Sequence, residues 1–389
     1  MSTAEQILTY IRSRRDAMVA FLEELIQLES PSRQRATQEP AFALLAEALT
    51  KLDFVVRRLP GSQSGGQLYA RPRERTRGQL AQLLIGHMDT VWPIGTLAEM
   101  PLRMEQDRLH GPGVYDMKGG LTQMVFALEA IRALQLKTEV MPVVFVNSDE
   151  EIGSRESTLH IQRLARIANR AYVLEPSLGQ DGRIKTSRKG VGRFTLTVKG
   201  KAAHAGLNPE SGASAILELS HQIQRLFALN DPAAGVTVNV GMIEGGLGAN
   251  VVAPEGRCII DVRVPTHEDA RRLETAIHSL TPITPGVRLE IEGRFGRPPM
   301  EQTAAGKALW EMALSLGREL NLELEEAAAG GGSDGNTTSQ YTATLDGLGA
   351  VGDGAHAHHE FLFISKLPKR TALLAMLLLA PPLAYGEAS

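Results

Sequence analysis

Apolar residues recur along the chain with two different periods, and the switch between them outlines the architecture. Three short runs rich in Val, Leu and Ile, AQLLIGHMD (81–89), PVVFVNSDEE (142–151) and RAYVLEPS (170–177), each end in a polar cluster. Continuous apolar runs of that length predict strands covered on both faces, as in a parallel sheet, each followed by a turn. Between them, LTQMVFALEAIRALQL (121–136) and ESTLHIQRLARIA (156–168) carry helical spacing. Such alternation predicts an α/β fold whose mixed sheet is mainly parallel and flanked by helices.

The pattern changes near Gly190. VGRFTLTVKGKAAHAG, GVTVNVGMIEG, RCIIDVRVPT and VRLEIEGRF alternate apolar and polar residues, while SGASAILELSHQIQRLFAL and EDARRLETAIHSL read as helices. The order strand, helix, strand, strand, helix, strand predicts a compact α+β module of the ferredoxin-like kind. After it, AAGKALWEMALSLGREL is helical and GGGSDGN (330–336) is a glycine-rich loop, so the last part of the chain returns to the first domain. The expected organisation is a catalytic domain built from residues 1–188 and 300–389, with an inserted domain at 189–299.

A chain of 389 residues is long for one core, in keeping with two domains. With 41 basic against 44 acidic side chains there is no global field to attract nucleic acid or an anionic membrane. The single cysteine, Cys258, excludes an internal disulfide framework and a thiolate-caged zinc site, so any metal would need histidine and carboxylate ligands. The first residues have amphipathic helical spacing with no apolar leader. The longest apolar run, TALLAMLLLAPPLAYG, is broken by Pro381 and Pro382, far short of the roughly 20 residues a bilayer requires. The expectation is a soluble, cytoplasmic protein.

Candidate chemistry gathers at the strand ends. His87 and Asp89 follow one apolar run, Asp149, Glu150 and Glu151 a second, and Glu175 a third. In an open α/β sheet the carboxyl ends of strands share a crevice, which is where ligands bind. Asp116 lies in the glycine-rich HGPGVYDMKGG (110–120), where a tight irregular turn is possible. Converging acids repel unless a positive charge neutralises them, and a pair of divalent cations does so. Imidazole with carboxylate and no thiolate suits zinc, with Co2+ or Mn2+ as substitutes, better than Mg2+ or Ca2+. A second histidine would come from GDGAHAHHEF (352–361), which offers His356, His358 and His359. In GHMD, Asp89 could accept a bond from the imidazole of His87 and raise its basicity.

The ordered set GHMDTV, GPGVYDMKGG, SDEEIGS, LEPS, KAAHAG and GAHAHHEF resembles the co-catalytic zinc exopeptidases. That family includes bacterial glutamate carboxypeptidase, acetylornithine deacetylase, succinyl-diaminopimelate desuccinylase and aminoacylase. The resemblance is nearest to the glutamate carboxypeptidase branch, because Glu175 stands in LEPS where many other branches have Asp. It implies two zinc ions per subunit, one held by His87 and Glu175 and the other by Glu151 and His356. Asp116 would bridge them, and the peptide bond after it would be cis. Glu150 matches the general base, and Asp89 the carboxylate that supports His87. The inserted domain matches the family's lid and dimerisation domain, whose His204 would reach a partner's active site in a homodimer and stabilise the oxyanion. Asn250 and Arg263 would bind the terminal carboxylate of the substrate, and Gly330 to Ser333 would line its pocket. The implied activity is hydrolysis of an amide or peptide bond that releases a C-terminal amino acid, from an N-acyl amino acid, a peptide or a folate-type substrate. A small-acyl deacylase is the alternative within the family.

Two rival functions come from other classes. Gly331 to Gly335 satisfy G-x-S-x-G, so Ser333 could be the nucleophile of a serine hydrolase with Asp346 or Asp353 and a downstream histidine. That leaves His87, Asp116, Glu151 and Glu175 without a role, and LELEEAAAGG is a poor buried strand to precede a sharp elbow. A non-catalytic binder on the same scaffold predicts loss of a ligand or of the base, yet all of these residues are present.

Overall fold

A computed structural model describes residues 1–384. The described chain divides into two compact units, Met1–Thr186 with Gln302–Ala329 and the segment from Ser333 onward, and Ser187–Glu301 with Gly330–Gly332.

The first unit is built on a six-stranded sheet in the order Phe54–Leu59, Gln67–Pro72, Met141–Asn147, Ala81–His87, Ala168–Val173 and Ala343–Leu345. The last four are mutually parallel, and the first two add an antiparallel hairpin at one edge. The expected mainly parallel mixed sheet is thus present. Ala81–His87 is buried at every position because helices cover both its faces, which is why its sequence shows no alternation. Helix Gly119–Ala133 is apolar nearly all round and packs in the core with Leu367–Leu379. Each fully buried Leu or Met there contributes roughly 1.5–3 kcal/mol, more than helix propensity could supply. Leu367–Leu379 is the apolar run noted above, and it stops before Pro381 and Pro382; Tyr385 and Gly386 lie outside the described residues. Among the described residues no helix is long and apolar enough to cross a membrane.

The helix Gly119–Ala133 starts with two glycines for a steric reason. A Cβ on Gly120 would stand 2.0 Å from the carbonyl oxygen of Leu174, so only glycine lets the helix approach the end of the neighbouring strand. A second, small antiparallel sheet orders Gly352–Asp353, Phe361–Phe363, Arg108–His110 and Arg103–Glu105. Its register pairs Phe361 with His110. The loop 354–360 and the segment that starts at Gly111 therefore leave the same small sheet side by side.

The second unit is a four-stranded antiparallel sheet in the order Thr237–Gly245, Glu255–Val264, Gly190–Lys199 and Arg288–Arg297. Numbered along the unit, that order is 2-3-1-4, the ferredoxin-like arrangement expected from the alternating pattern. Helices Ala215–Phe227 and His267–His278 contribute Leu219, Leu226, Leu273 and Ile277 to a core with Phe194, Leu196, Ile260 and Val262.

Candidate metal centre

Four of the candidate residues sit where parallel strands end. His87 closes Ala81–His87, Glu150 and Glu151 open a single 3-10 turn just after Met141–Asn147, and Glu175 follows Ala168–Val173. The register sets His87 opposite Asn147 and Ile85 opposite Val173, so these ends are level along one sheet edge. Chain order reverses across the central strand, the place where such sheets open a crevice. Asp116 and His356 arrive from the two adjacent exits of the small sheet.

The distances define two groups that share one carboxylate. His87 Nε2 is 3.2 Å from Asp116 Oδ1 and 3.5 Å from Glu175 Oε1. His356 Nε2 is 3.4 Å from Asp116 Oδ2 and 3.1 Å from Glu151 Oε2. Ligand atoms of His87, Glu150 and Glu175 lie within 4.8 Å of one another, as do those of His87, Asp116 and Glu151. Donors about 2.0–2.2 Å from one tetrahedral zinc stand roughly 3.3–3.6 Å apart, close to the 3.1–3.5 Å of these imidazole–carboxylate pairs, so the cluster is able to bind a divalent cation. The hard and borderline donors, with no thiolate, agree with that fit.

Electrostatics follow from burial and crowding. Burial works against a charged His87, but Asp116, Asp89 and Glu175 around it hold its pKa well above the ordinary value. Asp116 and Glu151 carry His356 up to about 10 against a weaker desolvation. Burial would raise Asp116, yet His356 and His87 pull it far below the usual carboxylate range. Glu151 is pushed up to about 7, chiefly by burial. Protons and a cation compete for the same lone pairs here, because metal binds only the deprotonated donors.

Hydrogen bonds fix the donors. His87 Nδ1 bonds the backbone carbonyl of Asp89 at 2.9 Å, while the Asp89 carboxylate stands at 3.5 Å. Both the main-chain carbonyl and the carboxylate of Asp89 therefore face His87 Nδ1, and the carboxylate adds to the basicity of the imidazole. The Asp89 carboxylate also accepts the backbone N–H groups of Glu150 and Glu151, both at 3.2 Å, and the Ser32 hydroxyl at 2.7 Å. It joins two strand ends.

Two organising residues carry no signal in the local pattern. Glu360, fully buried, accepts the N–H groups of Gly113, Tyr115 and Asp116 and the indole N–H of Trp92. Desolvation pushes its pKa up to about 7, opposed by those bonds. Lys118, also buried, donates to the carbonyls of Leu25 and Leu28, and burial pulls its ammonium down to about 7. Together they hold the turn that carries Asp116, whose peptide bond to Met117 is cis. Position in the motif, four residues after His356, is the only trace of Glu360 in the sequence.

Comparison with known proteins decides the family. The sequence profile described as Peptidase family M20/M25/M40 matches residues 83–380. The chain belongs to this family. It is 28% identical over 374 residues to carboxypeptidase G2 of Pseudomonas sp. strain RS-16, covering 93% of this chain and 89% of that one. It is 27% identical over 367 residues to succinyl-diaminopimelate desuccinylase of Delftia acidovorans, covering 89% of this chain and 93% of the relative. In fold it is similar to aminopeptidase PepT of Bacillus cereus, with a TM-score of 0.75 at 22% identity over 94% of this chain and 98% of that one. A Bacillus subtilis protein described as a dinuclear metal-binding peptidase of the M20 family gives a TM-score of 0.67 at 13% identity, covering 95% of this chain and 98% of that one. The chain is thus an M20-family hydrolase whose strand-end cluster is able to bind metal.

The other singled-out residues lie elsewhere. Of the three histidines in GAHAHHEF, His356 meets the carboxylates, His358 lies against the Trp92 ring and His359 is exposed. Ser333 corrects an expectation: it is fully buried and its hydroxyl donates to Asp346 Oδ2 at 2.5 Å, so it cannot line a pocket. Its partner is a carboxylate rather than an imidazole, which removes the basis for a serine nucleophile in this M20 protein. Gly335–Thr338 is already helical, shortening the expected loop. In the second unit His204 and Asn250 are exposed, and Gly330 is exposed as well. Arg263 spends its fork on Asp261, with contacts of 2.7 and 3.1 Å.

Proposed function

We propose that this M20 protein is a dizinc carboxypeptidase that hydrolyses an amide bond and releases a C-terminal amino acid. The observation that supports the reading best is the division of Asp116, whose two oxygens face different imidazoles, each with its own glutamate. His87 and Glu175 would hold one ion, Glu151 and His356 the other, and Asp116 both. The pair, when bound, acidifies a water molecule and polarises the scissile carbonyl. Glu150, on the same 3-10 turn as Glu151, accepts the proton of the attacking water and returns it to the leaving amine.

Residues of the second unit supply recognition. His204 Nδ1 accepts the Gly206 N–H at 3.1 Å, which in the neutral ring leaves the proton on Nε2 for a developing oxyanion. Arg263 and Asn250 bind the terminal carboxylate, Arg263 exchanging Asp261 for substrate. His204 acts from the partner subunit of a homodimer. In support, Thr237–Gly245 is an edge strand, and Met242, Ile243, Leu247, Ile216 and Leu217 of the same unit are exposed apolar side chains.

The similarity to a desuccinylase favours a second reading, release of a small acyl group, which uses the same cluster. The test is a release assay over N-acyl amino acids, dipeptides and para-aminobenzoyl-glutamate, with and without a chelator and with zinc, cobalt or manganese added back. Carboxypeptidase activity predicts dependence on the C-terminal residue and tolerance of the acyl group. The inverse pattern identifies a deacylase, and turnover that survives the chelator removes the metal mechanism.

A further inference from the structure

We propose that Glu156 and the loop Pro60–Gly66 clamp the turn that carries Glu150 and Glu151, which makes Glu156 a positioning residue for the base. This rests on the hydrolase reading above. Glu156 lies beyond the chemistry, yet its carboxylate is one of the most heavily bonded in the chain. Oε1 accepts the N–H groups of Ser62 and Gln63, each at 2.8 Å, and the Ser62 hydroxyl. Oε2 accepts the N–H of Ser64 at 3.1 Å and its hydroxyl at 2.8 Å. Successive N–H groups facing one point form an anion cradle, and here the anion is a side chain of the same unit. Gly61 makes room for it, since a Cβ there would stand 2.8 Å from Glu156 Oε2 and 2.6 Å from the Ser64 carbonyl.

The loop also holds the other end of the turn. Ser148 Oγ donates to the Gly66 carbonyl at 2.9 Å. Gln38, fully buried, accepts the Gly65 N–H at 2.5 Å and donates to the carbonyls of Pro31 and Ser148. The segment 149–155 is therefore gripped at Ser148 on one side and Glu156 on the other. Inside it, Asp149 Oδ2 accepts the N–H groups of Glu156 and Ser157, so the two feet are tied to each other. Asp89 holds the remaining N–H groups of Glu150 and Glu151 from the opposite side. A general base displaced by about 1 Å loses up to 10²-fold in rate, and this double grip opposes such a shift.

Glu156→Gln keeps the shape but turns an NH2 toward the donors of Ser64. The double variant Ser62→Ala/Ser64→Ala removes two hydroxyl donors and leaves the backbone donors in place. Two measurements are made on the full-length protein: steady-state kinetics with zinc content, and amide hydrogen exchange of the chain. The expected result for Glu156→Gln is a kcat lower by about 10- to 100-fold with KM within about twofold and zinc content unchanged. Exchange should quicken across 148–157 while the helix Gly119–Ala133 keeps its protection, and the double serine variant should show the same pattern at smaller amplitude. Wild-type kcat in both variants, or quickened exchange spread equally over that helix, overturns the clamp. Absence of hydrolysis by the wild-type protein would instead remove the proposed function, and the exchange measurement would still decide whether Glu156 holds the turn.

Discussion

The candidate donors of the first unit and the residues of the second proposed to recognise substrate are held in different ways. His87, Glu150 and Glu175 are buried and their neighbours are already hydrogen-bonded into place. His204 and Asn250 stand exposed, and Arg263 is occupied by Asp261 on its own strand. Crowded acids and imidazoles are tolerable in a buried site when a cation can replace the protons, and that demands a rigid frame. Residues that meet a ligand only transiently can remain in solvent. Substitutions in the first unit should therefore alter chemistry or metal affinity, and those in the second should leave metal content alone.

The sharpest test is Glu150→Ala. Turnover should fall by about 10²- to 10⁴-fold while metal analysis still finds the wild-type zinc content. Near-normal kcat would move the base elsewhere. Next in size, His204→Ala should lower kcat by about 10²- to 10³-fold with zinc content unchanged. Mixing these two variants and letting subunits exchange should restore part of the activity, because a mixed dimer holds one intact pair; no recovery would place His204 in cis.

A smaller effect separates the two imidazoles within the cluster. The His87 side chain is 1% exposed at a strand end, whereas the His356 side chain is 51% exposed in a loop and has a left-handed φ of 61°. Zinc titration followed by calorimetry should show a greater loss of affinity for His87→Ala than for His356→Ala, by about tenfold. Equal losses would mean that burial does not grade the two positions.

The smallest effect is on stability in acid. Burial would raise the Glu156 pKa, but the hydroxyls of Ser62 and Ser64 and the loop N–H groups lower it from 4.5 to about 2. A lowered carboxylate stabilises the fold above its unfolded value and loses that contribution as pH falls toward its folded value. The stability gap between the wild type and Glu156→Gln should thus be full at pH 7 and narrow between 4.5 and about 2, as read by urea denaturation across that range. A gap independent of pH would show that the carboxylate charge contributes nothing.

Much of the frame was legible because it depends on local pattern. Unbroken apolar runs marked the parallel strands, and alternation marked the antiparallel module, since covered and half-covered strands need different side chains. The polar residue after each run marked the edge where His87, Glu150, Glu151 and Glu175 meet. What stayed hidden were partners distant in the chain. Ser333 read as part of an open loop, but Asp346 draws it inside. Glu360 is in the sequence only the acid that follows the histidines of GAHAHHEF, yet it binds three N–H groups some 245 residues earlier.

From its residues alone, the chain determined which segments become strands and helices, which family it resembles and which donors are available, because periodicity and spacing are local properties. The resemblance already pointed to His356 and to Asp116 as the shared carboxylate; only the tertiary structure decided how closely His356 and His87 approach the two Asp116 oxygens, that His358 turns to Trp92, and that Glu156 grips a distant serine loop. Those choices depend on which surfaces pack together and which buried polar atoms must find partners once water is gone, and such pairings are set by the fold as a whole.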